Sequence, residues 1–138
     1  MKRARQFAAL PIAEREGEQM VMLVTSRETG RWVLPKGWAE KRLTGPELAA
    51  KEAFEEAGLK GQVAAKRVGS YRYLKQLPKG KAVTCEVEVF PMRVEQELDD
   101  WPERGQRRRE WFTLGQAAMA VDEGDLVVLL LRLAAAGA

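Results

Sequence analysis

Gly37-Trp-Ala-Glu-Lys-Arg-Leu-Thr-Gly-Pro-Glu-Leu-Ala-Ala-Lys-Glu-Ala-Phe-Glu-Glu-Ala-Gly-Leu59 decides the reading of this chain. Thr44 with Glu47 three residues on forms a capping-box pattern, and Pro46 is tolerated in a first helical turn. Gly58 supplies the matching stop. At about 100° per residue, Ala49, Ala50, Ala53, Phe54 and Ala57 gather on one side of the helix, with Glu52, Glu55 and Glu56 roughly opposite. Leu48 falls among the acidic residues, which a simple helical wheel does not explain. The alanines predict close packing against a sheet. Carboxylates spaced by three and four stand one above another, and such a stack of like charges is costly unless a cation or ligand offsets it. Clusters made of oxygen alone suit a hard ion such as magnesium or manganese, which shares its remaining positions with water and substrate phosphates.

Outward from this helix, residues 7–12 and 20–25 are short apolar runs around a charged turn and predict a hairpin or a strand–loop–strand unit. Residues 31–34 read as a third short strand, ended by Pro35, with 36–43 a loop. Residues 63–74 and 81–94 are strand-like on either side of a turn at 76–80, and 84–90 alternate as a strand with one wet face does. A polar loop at 95–106, punctuated by Trp101-Pro102, precedes a short strand at 110–112. Thr113 with Gln116 makes a second capping box for a helix around 116–120, and a last helix begins at 122–125 and runs to about residue 135. Helices against the faces of a mixed sheet place the chain among α/β or α+β sandwiches.

The 138 residues suit one domain spanning 1–138, and 46% hydrophobic with 31% charged residues is an ordinary globular balance. No apolar run reaches membrane-spanning length, the longest, 126–131, being cut by Arg132. The basic N-terminus is followed by no apolar signal core, so the expected location is cytoplasmic. Histidine is absent, which removes histidine catalysis and histidine metal ligands, and the lone Cys85 reads as a small packing residue. Trp101 and Trp111 read as core, whereas Trp38 divides between stacking on a base and packing over the core. The net charge of +3 says little about nucleic acid, and no aromatic residues are interleaved with the bases, so nucleic-acid binding is not expected. Its distribution says more. Lys2, Arg3, Arg5 and the run Arg107-Arg108-Arg109 lie far from the acidic helix in sequence. Convergence of these bases on the helix would build a pocket of cations and metal for a polyanion.

The same stretch resembles the Nudix hydrolase signature. That pattern runs glycine, five residues, glutamate, seven residues, then arginine-glutamate-apolar-any-glutamate-glutamate-any-glycine-apolar. Gly37, Glu52, Ala53, Glu55, Glu56, Gly58 and Leu59 fall in register with it. Leu43 stands where the first glutamate belongs and Lys51 where the arginine belongs. The resemblance implies the Nudix α/β/α sandwich, a mixed β-sheet flanked by helices, and a Mg2+- or Mn2+-dependent pyrophosphohydrolase. It implies that Glu52 and Glu56 are the principal metal ligands, assisted by the Gly37 main-chain carbonyl. Glu55 becomes a further ligand or the group that orients or deprotonates water. Lys51 replaces the arginine that fixes a catalytic carboxylate, keeping its charge but losing its planar fork. Glu40 and Glu47 are near enough in sequence to stand in for the carboxylate lost at Leu43, although Glu47 also serves the capping box.

Arg31-Trp-Val-Leu-Pro-Lys-Gly37 and Arg108-Arg-Glu-Trp-Phe112 are in turn similar to segments of the diphosphoinositol polyphosphate phosphohydrolases, a Nudix subgroup that also cleaves diadenosine polyphosphates. By that resemblance Arg5, Arg27, Lys81 and Arg108 are the phosphate-binding bases. Lys36 and Trp38 alter the pocket floor where the subgroup carries a glycine-rich stretch. The expected substrate is a small polyphosphorylated metabolite, a dinucleoside polyphosphate or a diphosphoinositol polyphosphate, acted on by a monomer or homodimer. The alternatives are hydrolysis of nucleotide sugars or nucleoside triphosphates, and a binding module impaired at Leu43 and Lys51.

Overall fold

A computed structural model describes residues 4–136; Lys2 and Arg3 lie outside the described residues. In chain order the elements are β1 (Ala4–Arg15), β2 (Glu18–Thr25), β3 (Trp32–Val33), β4 (Lys36–Trp38), α1 (Gly45–Ala57), β5 (Leu59–Val63), β6 (Gly69–Gln76), β7 (Ala82–Glu97), β8 (Arg109–Thr113), α2 (Leu114–Ala120) and α3 (Gly124–Ala136). The strands form one sheet in the order β3-β2-β1-β7-β5, with β4 paired to β1, β6 to β7 and β8 to β2. β1 and β7 run parallel, while the other pairs are antiparallel.

The two apolar layers follow from the two-residue period of a strand. Along β1, Phe7 and Ala9 face one side and Ala8 and Leu10 the other, and all four are buried. Phe7 and Ala9 join Met22, Val24 and Met92 beneath Leu48, Ala49, Ala53 and Ala57 of α1. Ala8 and Leu10 join Val87 and Val89 beneath α2 and α3. A sheet buried on both faces makes the α/β/α sandwich, and it explains why β1 reads as a continuous apolar run rather than an alternating one. Cys85 is buried within the sheet. Among the described residues no helix is long and apolar enough to cross a membrane.

β1 changes partners along its length. Residues Ile12–Arg15 pair with β2 and Gln6–Ala8 pair with β4, so the sheet divides between β2 and β4. This division corrects the expected loop at 36–43, whose first residues form β4. Pro35 costs that ladder nothing, because it lacks only the donor and its carbonyl accepts from Ala9 N at 3.0 Å. Residues 63–74 are likewise not one strand. β5 ends at Val63, and the chain is handed along β7 by Ala64 N to Pro91 O (2.9 Å) and Val68 N to Val89 O (2.8 Å) before β6 begins. The expected polar loop at 95–106 starts late, since β7 continues to Glu97 opposite Leu59.

Both ends of α1 are held by side chains. Thr44 Oγ1 accepts from Glu47 N (3.2 Å) and Glu47 accepts from Thr44 N (2.9 Å), an arrangement worth roughly 1 kcal/mol. Gly58 adopts φ 66°, and its N–H reaches the carbonyls of Ala53 and Phe54. The row Leu48, Glu52, Glu56 resolves the anomaly of the helical wheel. Leu48 enters the core, whereas the next two turns of that row leave it at the division in the sheet.

Candidate active site

The C-terminal turn of α1 is tied down by the loop that follows β7. Leu98 N donates to Gly58 O (2.8 Å) and Glu103 N to Glu55 O (3.0 Å). Trp101 Nε1 donates to Glu56 O (3.2 Å), and the Arg109 guanidinium donates to Ala57 O (2.9 Å) while stacking 3.9 Å from the Trp101 ring centroid. Helix ends leave carbonyls without intrahelical partners, and these contacts satisfy them with a cation on the favourable end of the dipole. The strap carries Glu103 and Arg107 across to the acidic residues. Arg107 Nε lies 2.8 Å from Glu103 Oε1, and its guanidinium donates to Thr25 O at 3.1 Å and sits 3.8 Å from Glu56 Oε1.

These groups enclose a cavity of about 370 Å³ at the division of the sheet. One wall is acidic, with Glu52 and Glu56 from α1, Glu40 from the preceding loop and Glu103 from the strap. Basic groups share the lining, with Lys36 from β4, Lys75 from β6, and Arg27 beyond the end of β2, the last 3.9 Å from Glu103. Gln6, Trp38 and Tyr73 complete the floor. The Lys36 ammonium lies 5.2 Å from the Tyr73 ring centroid. Burial lowers its pKa, against the attraction of Glu56 and Glu123.

Gly37 fits this place because a side chain would not. A Cβ there would stand 2.6 Å from Glu52 Cδ and 2.8 Å from its Oε2. The backbone of β4 therefore lies directly against a carboxylate of α1. Glu56 is 4% exposed. Burial, then the proton it shares in a hydrogen bond with Glu52, push its pKa up to about 9. Burial also raises Glu52. The neighbouring carboxylates of Glu52 and Glu56, with the Gly37 backbone beside Glu52, form a donor set of oxygens alone. It suits a hard divalent ion, which uses few carboxylates and leaves positions for water and phosphate. Among the described residues no group of three or more acidic, cysteine or histidine side chains converges on one point, so the protein's own share of such a ligand set is small.

Of the residues singled out in the sequence, Gly37, Glu52, Glu56, Lys36 and Arg27 line the cavity. Glu55 and Lys51 lie on α1 outside that lining, with Glu55 half-buried and Lys51 exposed. Lys51 donates to Glu40 at 3.1 Å, so the two departures from the signature are linked: the lysine pairs with a carboxylate three residues before Leu43. Leu43 packs against the α1-side core. Arg5 reaches Glu88 and lies over Phe7, and Lys81 is exposed at the start of β7's hairpin, so neither enters the cavity. Arg108 lies over the Trp32 ring at 5.5 Å, while its neighbour Arg107 turns inward. Of the arginine run, Arg107 converges on the helix at 3.8 Å from Glu56, while Glu103, Lys75, Gln6 and Tyr73 were not expected as cavity residues. Alternation from Tyr71 through Tyr73 to Lys75 was the available signal for β6; for the loop residues the one hint was Trp101-Pro102 as an anchored rather than free segment.

The chain matches the family model of the NUDIX domain over residues 2–130. It is 36% identical over 105 residues to Nudix hydrolase 12, mitochondrial, of Arabidopsis thaliana, covering 70% of this chain and 49% of that protein. It is 31% identical over 107 residues to diphosphoinositol polyphosphate phosphohydrolase 3-alpha of Mus musculus, covering 76% and 60%. The chain thus spans about half the length of the curated relatives it matches. Its fold is similar to that of a C. elegans Ap4A hydrolase in a binary complex (TM-score 0.72, 18% identity, 98% of this chain and 99% of that one). It is also similar to the E. coli ORF135 protein (TM-score 0.69, 19% identity, 100% and 93%). With the acidic helix, its flanking glycines and the match across nearly the whole sequence in place, the chain belongs to the Nudix family.

Proposed function

We propose that this protein is a divalent-metal-dependent pyrophosphohydrolase that cleaves a phosphoanhydride in a small polyphosphorylated metabolite. One observation carries the reading: Glu52, packed against Gly37, and Glu56 line one cavity together with the bases Lys36, Lys75, Arg27 and Arg107. Diphosphates resist hydrolysis because their charge repels the nucleophile, so a site needs cations along the chain and a place for water. Glu52 and Glu56, with the main chain at Gly37, would hold Mg2+ or Mn2+, which supplies charge neutralisation and an acidified water. Lys36 and Arg27 bind the phosphoryl oxygens, and Arg107 holds Glu56 and Glu103 in place. Glu55, one residue before Glu56 on the same helix, lies outside the cavity lining, and no step is assigned to it. Lys51 keeps Glu40 at the rim rather than fixing a carboxylate inside.

The substrate class follows the relatives' names and the number of bases in the cavity lining. Dinucleoside polyphosphates and diphosphoinositol polyphosphates both carry a phosphoanhydride together with further phosphates that Lys36, Arg27 and Lys75 could bind. The test is hydrolysis of both classes, with nucleoside triphosphates and nucleotide sugars alongside, in Mg2+, in Mn2+ and in chelator. Metal-dependent cleavage of one class supports the reading; a folded protein that binds but does not cleave any of them leaves the scaffold as a binding module.

A further inference from the structure

Two arginines border the cavity, and they are held in different ways. Arg107 is ion-paired, its guanidinium lying 2.8 Å from Glu103 and 3.8 Å from Glu56. Arg27 stands 3.9 Å from Glu103, beyond hydrogen-bond reach, and its Nη1 donates instead to Gln106 Oε1 at 2.8 Å. Among the described residues the cavity lining includes Arg27 but not Gln106. The amide therefore meets the cavity through the arginine.

This bridge follows from strand register. β2 and β8 are antiparallel, with Val24 opposite Arg109. Pairing continues past the end of β8, where Thr25 N donates to Arg108 O (3.0 Å) and Arg108 N to Thr25 Oγ1 (2.9 Å). Carried two residues further along each chain, that register sets Arg27 opposite Gln106. The backbone is anchored on both sides, since Gln106 N donates to Glu103 O (2.9 Å) and Ser26 N, beside Arg27, to Arg31 O (2.8 Å). Two exposed side chains thus meet from fixed starting points.

The chemistry of the partner matters as much as its place. A carboxylate opposite Arg27 would fix the guanidinium and cancel its charge. An amide oxygen fixes it and leaves the full charge for an anion. With Nη1 engaged by Gln106, the remaining donors of the planar fork are free to meet phosphoryl oxygens. Ordering a long side chain before the ligand arrives also removes that entropic cost from binding.

We infer that Gln106 is a positioning residue: it acts through Arg27, presenting the guanidinium to the ligand's phosphates, and touches no ligand itself. The inference rests on the proposed phosphate-binding role of Arg27, and its test needs no turnover. Calorimetry measures binding of methylenediphosphonate with Mg2+, a diphosphate analogue whose P–C–P bridge resists hydrolysis. The proteins are the wild type, Gln106→Ala, Arg27→Ala and the double variant. A hydrogen bond of this kind is worth about three- to tenfold in affinity, which is the weakening expected of Gln106→Ala. Arg27→Ala weakens binding at least as much, and the double variant no further, because no guanidinium remains to be placed. Affinity of Gln106→Ala for Mg2+ alone stays within twofold of the wild type, and its melting temperature within a few degrees. Additive losses in the double variant overturn the inference, as does a Gln106→Ala that binds like the wild type. A parallel loss of Mg2+ affinity overturns it too, by showing that Gln106 supports the fold of the strap carrying Glu103 and Arg107. A wild type that does not bind the analogue, or an Arg27→Ala that binds it undiminished, strikes the phosphate reading of Arg27 and the role of Gln106 together. Weakening by Arg27→Ala but not by Gln106→Ala strikes the role of Gln106 alone.

Discussion

Gly37→Ala separates the site from the fold more sharply than any carboxylate substitution. A Cβ at this position would lie 2.6 Å from Glu52 Cδ, 2.8 Å from Oε2 and 3.0 Å from Cγ, where ordinary contact begins at 3.4 Å. Relief requires the carboxylate to retreat by about 1 Å, and misplacement on that scale costs on the order of 100-fold in rate. The fold is expected to tolerate the change. Gly37 is absent from the positive-φ positions, and the clash is with the end of a flexible side chain rather than with backbone. Overpacking of this kind costs about 1–2 kcal/mol at most, a melting shift of several degrees. The assay pairs steady-state turnover in saturating Mg2+ with a thermal melt. A variant that turns over at the wild-type rate would refute the claim that Glu52 acts from its position against β4. A variant that loses activity only because it unfolds would refute the claim that Gly37 serves the site.

Four further outcomes are expected. Gly58→Ala acts on the fold, because φ there is 66° and the new Cβ would stand 2.7 Å from Trp101 Cδ2 and 2.8 Å from the Arg109 guanidinium; the loss is about 3 kcal/mol, read by denaturant unfolding. Arg107→Ala removes the guanidinium that bridges Glu103, Thr25 O and Glu56 while leaving Arg27 near Glu103, lowering stability by about 1–3 kcal/mol and raising KM, whereas Arg108→Ala, which uncovers Trp32, changes KM by less than twofold. A Glu56 pKa raised to about 9 means that the folded, metal-free protein holds a proton the unfolded chain has already released. Its stability therefore falls as pH rises from about 4.5 toward 9, and a melting temperature that rises across that window would contradict the assignment. Mg2+ must displace that proton, so calorimetry at pH 7 in buffers of different ionisation enthalpy should record proton release on metal binding.

What was legible in the sequence was whatever local chemistry dictates. The Thr44–Glu47 and Thr113–Gln116 boxes located two N-caps, although the second helix begins at Leu114 rather than at the expected 116, and Gly58 located a stop, because each reflects hydrogen bonds within one turn. The two apolar layers followed from β1 and α1. What escaped depended on contacts far apart in the chain. Residues 36–38 carry no strand signal of their own, and they become β4 because Ala8, Phe7 and Gln6 wait for partners where β1 leaves β2. Glu103 and Arg107 look like members of a solvated loop until Trp101 and Arg109 tie that loop to the end of α1. Choosing Arg108 over Arg107 was a question of alternation through a segment entering β8, and one residue of register separates a side chain over Trp32 from one at Glu56. The Lys51–Glu40 pair needed the loop's path, which spacing alone does not give.

The most direct test of the account is 31P-detected hydrolysis of diadenosine tetraphosphate by the wild-type chain and by Glu56→Gln, each with Mg2+ and with chelator. The account predicts turnover by the wild type in Mg2+ alone, with chelator or Glu56→Gln abolishing it while the variant still melts cooperatively. Turnover that persists in chelator, or in Glu56→Gln, would contradict the central claim that Glu52 and Glu56 form the metal-binding wall of a pyrophosphohydrolase site.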